Sequence, residues 1–461
     1  MEALLSANED VLIPPLSLGL KPGAQYLQNR RSATVFSSVN QASPQGVQAL
    51  KFNIASSQEW AIPDSVIISF DVVNDSAAHD LYPSTPGAHC LFERYQCRIA
   101  STQIEDIEHY GRTVECFSRL IPTEKKLNEG ALGFGTVLTQ YADPSTPDPA
   151  TNHAEAGARR KVPSLWDAEN HQAKAIGKKA ANSVNTKRVF MKLPLSGVFT
   201  SNQKYLPLWA LGGGGIEITL SLAPADQAMI TAPIVPGATP TATPAAGVGS
   251  STYHLENIRC EVDMITIDSA LQEQYSRNML EGGALTLHTK LWNVTQVFLG
   301  GSNAGSFDVS VSKSLSRVAT LFANFSEELS AAQRAAGTMY TNNFKSPGDA
   351  ESMSSHVTVG SKRFPEFENQ SLVAHFWRLT NALGVAKSLP HTLSTDMDSY
   401  GNKSFCLGTD LEVCPLVASS GINTTGGQEL ALHCRAFIGT EAAAGASAAE
   451  IAAAAQKNTI R

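Results

Sequence analysis

Short segments in which apolar and polar residues alternate occupy most of this chain. Alternation with a period of two is typical of strands that bury one face, and runs of β-branched residues support the assignment. Because no helical segment follows each strand in turn, the pattern argues against a doubly wound parallel sheet and favours antiparallel sandwiches. The first group of predicted strands is LKFNIAS (50–56), SVIISFDVV (65–73), CLFERYQCRIA (90–100), KRVFMKL (187–193), GIEITLSLA (215–223) and HLENIRCEVDMITI (254–267). The second group is LTLHTKLWNVTQVFL (285–299), SFDVSVS (306–312), SRVATLFANF (316–325), KSFCLGTDL (403–411) and QELALHCRAFI (428–438).

A helix is predicted between the two groups of strands. The segment IDSALQEQYSRNMLEGG (267–283) has Asp268 or Ser269 as a capping residue at its start and two glycines at its end. We therefore expect an all-β chain of two similar domains, a first at 46–267 and a second at 284–440, joined by a connector helix at 268–283. The duplication rests on the order of the elements, since the two halves show no readable sequence repeat.

Further regions fall outside this pattern. Inserts interrupt the first domain at 141–186 and 223–252, and loops of this length in a compact domain usually serve a function or an interface. We expect residues 1–45 to form an N-terminal arm and residues 441–461 an Ala-rich tail, whose helix would need a partner surface for stability. The four glycines at 212–215 lack the Lys-Ser/Thr that follows in a phosphate-binding loop, which favours a crowded turn.

The segment STQIEDIEHYGRTVECFSRL (101–120) concentrates acidic residues around a histidine. On a helix over 103–121 its apolar residues form one stripe, which predicts a scaffold helix. The acidic residues then lie on the other side, where Glu108 can pair with Arg112 and Glu115 with Arg119. The residues of the stripe are Ile104, Ile107, Val114, Phe117 and Ile121, with Leu120 beside them.

The alternative for this segment is a metal or acid/base centre. Glu105 and His109 are four residues apart, but no second pair of ligands at matched spacing occurs elsewhere in the sequence. Asp396 and Asp398 resemble half of a calcium loop without its glycine and its closing glutamate. No ordered Ser/His/Asp motif is present either. We therefore predict no catalytic residue, no cofactor-binding residue and no metal ligand, and expect that the protein is not an enzyme.

The composition of the 461 residues reduces the number of possible functions further. A net charge of −7 argues against a main surface that grips nucleic acid. Only 17% of the residues are charged, a low share that suits a surface covered by other subunits. The seven cysteines include no CxxC pair, which predicts reduced, mostly buried thiols. The sequence shows no signal peptide and no apolar run long enough for a transmembrane segment.

Six stretches of the sequence carry a resemblance to a known family. They are FNIASSQEWAIPDSVIISFDVVN (52–74), IEDIEHYGRTVECFSRL (104–120), YLPLWALGGGGIEITLSLA (205–223), ENIRCEVDMITIDSALQEQYSRNMLEGGALTL (256–287), VGSKRFPEFENQSL (359–372) and SSGINTTGGQELALHCRAF (419–437). Taken in order over most of residues 45–440, they resemble the double jelly-roll major capsid proteins of tailless double-stranded DNA viruses. The resemblance is to the polinton-like virus and virophage type. None of the six stretches is a catalytic signature.

The resemblance implies a fold of two fused eight-stranded antiparallel jelly rolls with short helices and long inserted loops. It also implies a homotrimer of pseudo-hexagonal outline, a capsomer that tiles an icosahedral virion shell. Such a capsomer would contact neighbouring capsomers, penton proteins and minor capsid proteins, without sequence-specific nucleic-acid binding, and would be made in the cytoplasm or nucleus of the host cell. Trp166, Trp209 and Trp292 are candidate contacts between subunits, although tryptophan is more often simply part of a core.

Three alternatives compete with this interpretation. A β-sandwich that binds carbohydrate or another ligand would need a convergent cluster of Asp, Asn and aromatic residues, and none stands out. A coat protein of an RNA virus often carries a strongly basic arm, whereas the first 45 residues contain only Lys21, Arg30 and Arg31 as bases. A minor capsid protein would usually carry one roll, so the second series of strands favours the major protein.

Overall fold

The computed structural model describes most of the chain between residues 27 and 436. The described residues are 27–121 (except 80 and 86), 132–134, 176–179, 185–231 (except 202, 203 and 226), 249–298 (except 283–284, 286–288 and 295), 306–311, 315–327, 344, 346, 351–385, 393, 395, 400–401, 404–412, 421–425, 429–436 and 458–460. Two of the predicted features, Trp166 and the Asp396–Asp398 motif, lie outside these residues.

The longer strands of the first half form two antiparallel sheets. Its longer strands are β1 (Leu27–Phe36), β2 (Ala49–Ile54), β3 (Ile67–Asn74), β4 (Phe92–Ile99), β5 (Thr102–Glu108), β6 (Thr186–Lys192), β7 (Ile216–Leu222) and β8 (Tyr253–Ile267). One sheet has the order β1-β8-β3-β6, and the other has the order β2-β7-β4-β5. Two-residue strands lie at Gln41–Ala42, Trp60–Ala61, Tyr82–Pro83, Leu206–Pro207, Met229–Ile230 and Gly249–Ser250.

The described residues of the second half form nine strands. They are β9 (Val297–Phe298), β10 (Ser306–Val311), β11 (Thr320–Ala323), β12 (Phe325–Glu327), β13 (Ser354–Val359), β14 (Lys362–Gln370), β15 (Leu407–Asp410), β16 (Leu430–Arg435) and β17 (Asn458–Ile460). One sheet has the order β10-β16-β13-β14. The remaining strands pair as β9-β17-β12 and as β11-β15.

Three α-helices accompany the strands among the described residues. They are α1 (Tyr110–Ser118), α2 (Ser269–Leu280) and α3 (Ser371–Ala382). The connector helix predicted between the halves is confirmed by α2, where the Asp268 side chain accepts a hydrogen bond from the backbone N–H of Ala270 at 3.2 Å. Short 3₁₀ or π helices occur at Pro63–Ser65, Ala88–Leu91, Gly197–Ser201 and Leu208–Gly214.

Both halves of the chain follow one strand plan. The sheet β2-β7-β4-β5 corresponds to β10-β16-β13-β14, strand by strand and in the same chain order. The ladder β1-β8-β3 likewise corresponds to β9-β17-β12. The pair β3-β6 corresponds to β11-β15, so the consecutive short strands β11 and β12 together take the place of β3. In each half a helix follows directly after the edge strand, α1 after β5 and α3 after β14. The prediction of two fused antiparallel jelly rolls is therefore confirmed, and the duplication that no sequence repeat reveals is present in the topology.

Each roll has its own core, as the alternation predicts. In β2 the side chains of Leu50, Phe52 and Ile54 are fully buried while their neighbours are exposed or half-buried. The inner residues of both sheets of the first roll belong to one cluster, and a second cluster fills the second roll around residues such as Phe344 and Phe405. Each fully buried side chain of this size contributes about 1.5–3 kcal/mol of hydrophobic stabilisation.

The strands of both rolls extend beyond the predicted boundaries 46–267 and 284–440. Strand β1, in the predicted N-terminal arm, pairs with β8 over its length. Strand β17, at the end of the predicted Ala-rich tail, pairs with β9 and β12. The pattern does not reveal either strand. Ala33 is the only buried residue among residues 28–36 of β1, whose burial is described, and three residues are too few for β17 to show alternation.

Two predictions for the second half differ from the structure. Of the predicted strand 285–299, only Val297–Phe298 is a strand among the described residues. Residues 289–294 run across the first roll instead. The hairpin β13-β14 and helix α3 were not predicted from the pattern, because the outward face of β13 carries half-buried or buried polar residues and blurs the alternation.

The two inserts are anchored at their ends to the loop before β4. Ile176, near the end of the first insert, bridges to Leu81 and is 2% exposed. The second insert contributes Met229–Ile230 and Gly249–Ser250 to a small sheet with Tyr82–Pro83. No helix among the described residues is long and apolar enough to cross a membrane.

Candidate assembly surfaces and the junction between the rolls

The acidic segment predicted as one helix is a strand followed by a shorter helix. Residues Thr102–Glu108 form β5 and pair with β4, and α1 begins at Tyr110, after His109 turns the backbone with a φ of 53°. The prediction of a single helix is therefore wrong. The hairpin turn before β5 uses Ala100 and Ser101 at positive φ, in place of the Asn and Gly that usually mark such turns, so the sequence carries no turn signal.

The carboxylate of Glu105 lies inside the first roll, and 1% of the residue is exposed. Side chains alternate along a strand, so Glu105 and Ile107 both point inwards, which corrects the expectation that Glu105 lies on an exposed helix face. The carboxylate accepts hydrogen bonds from the backbone N–H of Gly197 at 2.7 Å and from the hydroxyl of Ser196 at 3.1 Å. Burial raises the pKa of Glu105, and these hydrogen bonds partly oppose the shift.

The start of the second half crosses the first roll beside Glu105. The backbone of Trp292 lies beside the Glu105 carboxylate and helps to lower its pKa, and Asn293 forms a parallel bridge with β5. A Cβ at Gly197 would lie 2.0 Å from the carbonyl oxygen of Lys290, so glycine is required at this close approach. Glu105 thus holds together β5, the turn after β6 and the segment that leads into the second roll.

Helix α1 contacts the cores of both rolls. Tyr110 and Val114 belong to the core of the first roll. Cys116, within the helix, and Leu120, just after it, belong to the core of the second roll. All residues of the helix up to Cys116 are buried. The helix therefore fastens the two rolls to each other within one chain.

Three aromatic rings close the junction beside α1. Phe117 lies 5.2 Å from Trp292 and 5.1 Å from Phe322, measured between ring centroids, and both contacts are edge-to-face. The rings of Trp292 and Phe322 are stacked at 5.8 Å. Such pairs contribute about 0.5–1.5 kcal/mol each beyond the area they bury. Trp292 therefore has a contact role inside the chain, at the junction of the rolls.

A buried ion pair supports α1 on the side of the first roll. Glu115 accepts hydrogen bonds from His89 Nε2 at 3.1 Å and from Arg119 Nε at 3.0 Å. Burial alone would raise the pKa of Glu115, but the hydrogen bonds and charges of these two partners lower it to about 2. The predicted pairing of Glu115 with Arg119 is confirmed.

The other predicted ion pair has different partners. Glu108 lies on β5, 3.7 Å from Arg94 on the neighbouring strand. Arg94 also binds Asp106 through two hydrogen bonds of 2.7 and 2.6 Å. Arg112, the predicted partner of Glu108, is buried in α1. The helical spacing of four residues does not apply, because a strand and a turn separate Glu108 from the helix.

The remaining tryptophan predicted as a contact, Trp209, lies in a small cluster at the edge of the first roll. It is half-buried, and its ring centroid lies 5.9 Å from that of Trp60. Tyr275 of the connector helix packs against Trp60 from the other side at 5.3 Å. The Nε1 donor of Trp209 is enclosed without a hydrogen-bond partner. A contact of Trp209 with another subunit remains a prediction.

A further apolar surface, which the sequence analysis missed, lies on the second roll. Phe367 on the edge strand β14 is 83% exposed, and Val373 and Trp377 on α3 are 64% and 56% exposed. Val373 and Trp377 are four residues apart and so share one helix face. We name these three side chains the α3 surface. The signal in the sequence is an apolar pair that directly follows the inward residues Leu372 and Phe376 and so widens the apolar stripe beyond the core-facing side.

The described residues hold a buried Ser–His pair. Ser355 Oγ lies 2.8 Å from His375 Nε2, and His375 Nδ1 lies 2.6 Å from the carbonyl oxygen of Ser371. Ser355 and His375 are 4% and 1% exposed, inside the second roll. Burial lowers the pKa of His375. A substrate cannot reach a pair packed between strand β13 and helix α3, so these hydrogen bonds satisfy core polar groups. Within the described part of the chain, no group of three or more His, Cys, Asp or Glu residues could hold a metal ion.

A shallow cavity of about 350 Å³ lies on the outer face of the sheet β10-β16-β13-β14. His433 on β16 lies 2.6 Å from Asp308 through Nδ1 and 2.9 Å from Thr358 through Nε2, and its ring stacks on His356 at 4.7 Å. The lining is polar and contains no Trp, Tyr or Phe; its residues are Asp308, Ser310, Thr358, Gly360, Glu429, Ala431 and His433. Ligand sites are usually lined mainly by apolar and aromatic side chains, whereas the apolar side chain in this lining is that of Ala431.

Comparison with solved structures identifies the fold. No family model matches the sequence, and no curated protein matches it significantly. Among solved structures, the chain is similar to PBCV-1 VP54 as fitted into a reconstruction of the virophage Sputnik, with a TM-score of 0.54, 12% identity and coverage of 96% of this chain and 94% of the other. It is also similar to the Faustovirus major capsid protein, with a TM-score of 0.52, 10% identity and coverage of 98% and 91%. The chain therefore has the double jelly-roll fold of these viral capsid proteins.

Proposed function

We propose that this chain is the structural major capsid protein of a virus, and that three copies form a pseudo-hexameric capsomer. The observation that carries the proposal is the fusion of two rolls with one strand plan and one helix position into a single chain. Three such chains supply six similar edges, so a ring of three can fill a near-hexagonal place in a lattice. The resemblance to solved capsid proteins over nearly the whole chain supports the same function.

The same proposal covers the partners and the location. Capsomers would tile an icosahedral shell through contacts with neighbouring capsomers and with penton and minor capsid proteins, so the protein would reside in the virion. The sequence resemblance favours a virophage or polinton-like virus as the source. The protein would act as a building block and not as an enzyme.

The junction between the rolls supports a building block of this kind. Buried polar groups at Glu105 and Glu115, together with the rings around Phe117, hold the two rolls in one arrangement. A lattice requires subunits of constant shape, because every error in the angle between the rolls would be repeated at each contact.

Size-exclusion chromatography with light scattering, followed by negative-stain imaging, tests the proposal. We expect a mass close to three chains and particles of hexagonal outline. A chain that stays monomeric at every concentration would contradict the preassembled trimer. The alternative, a ligand-binding sandwich, would use the polar cavity around His433 and would then be tested by screening that cavity with carbohydrates.

A further inference from the structure

Helices α1 and α3 occupy the same place in their rolls. Each follows the edge strand of a four-stranded sheet, and each starts at a residue with a positive φ, His109 at 53° and Ser371 at 69°. The inner face of α3 packs on the second core through Leu379 and Phe376, as α1 packs on the first core. The two helices are therefore equivalent positions of the duplicated fold.

The outer faces of the two helices differ in what covers them. The second roll covers the outer side of α1, because Cys116 and the ring of Phe117 contact its core. The edge strand beside α1 is also covered, since Asn293 bridges to Asp106 of β5. On α3, by contrast, Val373 and Trp377 remain mostly exposed among the described residues.

The edge strand beside α3 adds to this exposed face. Among the strands that the structure describes, β14 pairs with β13 alone, and it displays Phe367, which is 83% exposed. Exposed Phe, Val and Trp side chains on one edge are costly in water, and aromatic residues of this kind anchor many subunit interfaces. Charged residues such as Lys362 and Glu366 flank Phe367 and give the surface a polar rim.

We propose that the first roll of a second copy of this chain covers the α3 surface. In a closed ring of three chains the two kinds of roll alternate, so each junction within a chain is followed by a junction between chains. The first kind of junction is visible in one chain and buries the outer face of α1. The α3 surface is the exposed apolar face of the second roll beside its edge strand β14, and it is available for the second kind. This inference rests on the proposed trimer and assigns its contact surface.

Single substitutions on the surface test the inference. Trp377→Glu and Val373→Asp place a charge on the α3 surface without touching the core of the roll. The matched control is Leu280→Glu on the connector helix, where Leu280 is 88% exposed. We expect the wild type and Leu280→Glu to elute as trimers. Both α3 variants should elute as monomers with unchanged circular dichroism, because their association constants should fall at least tenfold.

The outcomes separate the inference from the proposed function. A wild-type trimer together with trimeric α3 variants would overturn the inference and leave the capsomer proposal intact. A monomeric wild type would overturn the capsomer proposal and the inference with it. If the control Leu280→Glu is monomeric as well, this would also count against the inference, because the loss of assembly would then not be specific to the α3 surface.

Cross-linking identifies the partner directly. A photoreactive benzoylphenylalanine at position 377 is introduced into unlabelled chains, which are mixed with isotopically labelled wild-type chains before illumination. We expect mixed-isotope cross-links from position 377 to peptides of the first roll, within residues 27–267. Cross-links to the second roll of the other chain, or cross-links within a single chain only, would overturn the assignment.

Discussion

The two equivalent helices of the rolls show how one fold serves an internal and an external contact. Helix α1 is buried up to Cys116 and carries a buried carboxylate, Glu115. Helix α3 buries only His375 and Leu379 and displays a tryptophan to solvent. The difference teaches that position in the fold does not decide exposure. What decides it is what packs against each helix: His89 of the same roll and the core of the second roll in the first case, and, as proposed, another copy of the chain in the second.

The buried ion pair at α1 provides the largest expected effect. Glu115 and Arg119 are four residues apart at 3.0 Å, as are Glu273 and Arg277 on the exposed side of α2. We expect Glu115→Ala to lower the free energy of unfolding by about 4 kcal/mol, because the buried partners lose their counter-charge. Glu273→Ala should cost less than about 0.5 kcal/mol, since its pair is solvated. Urea denaturation measures both, and equal effects would contradict the burial of Glu115.

The aromatic junction is expected to contribute somewhat less. Phe117→Ala removes one ring from between Trp292 and Phe322. The half-buried position suggests a loss of about 3 kcal/mol in the free energy of unfolding. Differential scanning calorimetry should also show whether the second roll then unfolds at a lower temperature than the first. A single transition at the wild-type temperature would show that the rolls do not depend on this contact.

Acid is expected to destabilise the second roll through His375. Burial lowers the pKa of this histidine in the folded protein, so the unfolded chain binds a proton more readily. Stability is therefore full above the unfolded pKa of about 6.5 and falls as the pH drops below it, by at most about 1.4 kcal/mol per pH unit for one group. Thermal unfolding between pH 7.5 and 5.0 measures this slope. In His375→Gln the free energy of unfolding should depend less steeply on pH, by the contribution of one bound proton. An unchanged pH dependence would exclude His375 as its source.

The smallest effect is expected on the uncovered helix. In a chain kept monomeric by Val373→Asp, the additional change Trp377→Ala should alter the free energy of unfolding by less than about 0.5 kcal/mol, because the ring is mostly exposed. Urea denaturation of the single and the double variant provides the measurement. A loss above 1.5 kcal/mol would mean that Trp377 packs inside its own chain, and it would remove the contrast with α1.

The alternation of residues was sufficient to predict most strands of the first roll. Strands such as β2 and β7 bury every second residue, so their pattern is visible without the fold. The connector helix was also predictable, since Asp268 caps it as its side chain suggests. The segment around Glu105 was not, because four acidic or histidine residues at helical spacing imitate an amphipathic helix. Pairing with β4 along seven residues overrides that local preference.

The candidate site was harder to predict than the fold. Trp292 was selected from the sequence as an anchor, and the structure places it between the rolls of one chain. The exposure of Trp377 follows from what surrounds α3, which depends on contacts distant in sequence. Leu372 and Phe376 on the same helix have similar hydrophobicity and lie against the core. No local pattern separates an apolar residue that faces a core from one that faces another subunit.

By itself, the sequence determined that the chain builds antiparallel sandwiches in two series joined by a capped helix, because side-chain alternation and capping are local properties. Only the tertiary structure decided that the series are two copies of one strand plan, that β1 and β17 belong to their sheets, and that Glu105 and Glu115 are buried at the junction. The physical reason is that strand pairing and burial join residues far apart in the chain, and the free energy of those contacts exceeds the weak preferences of each segment.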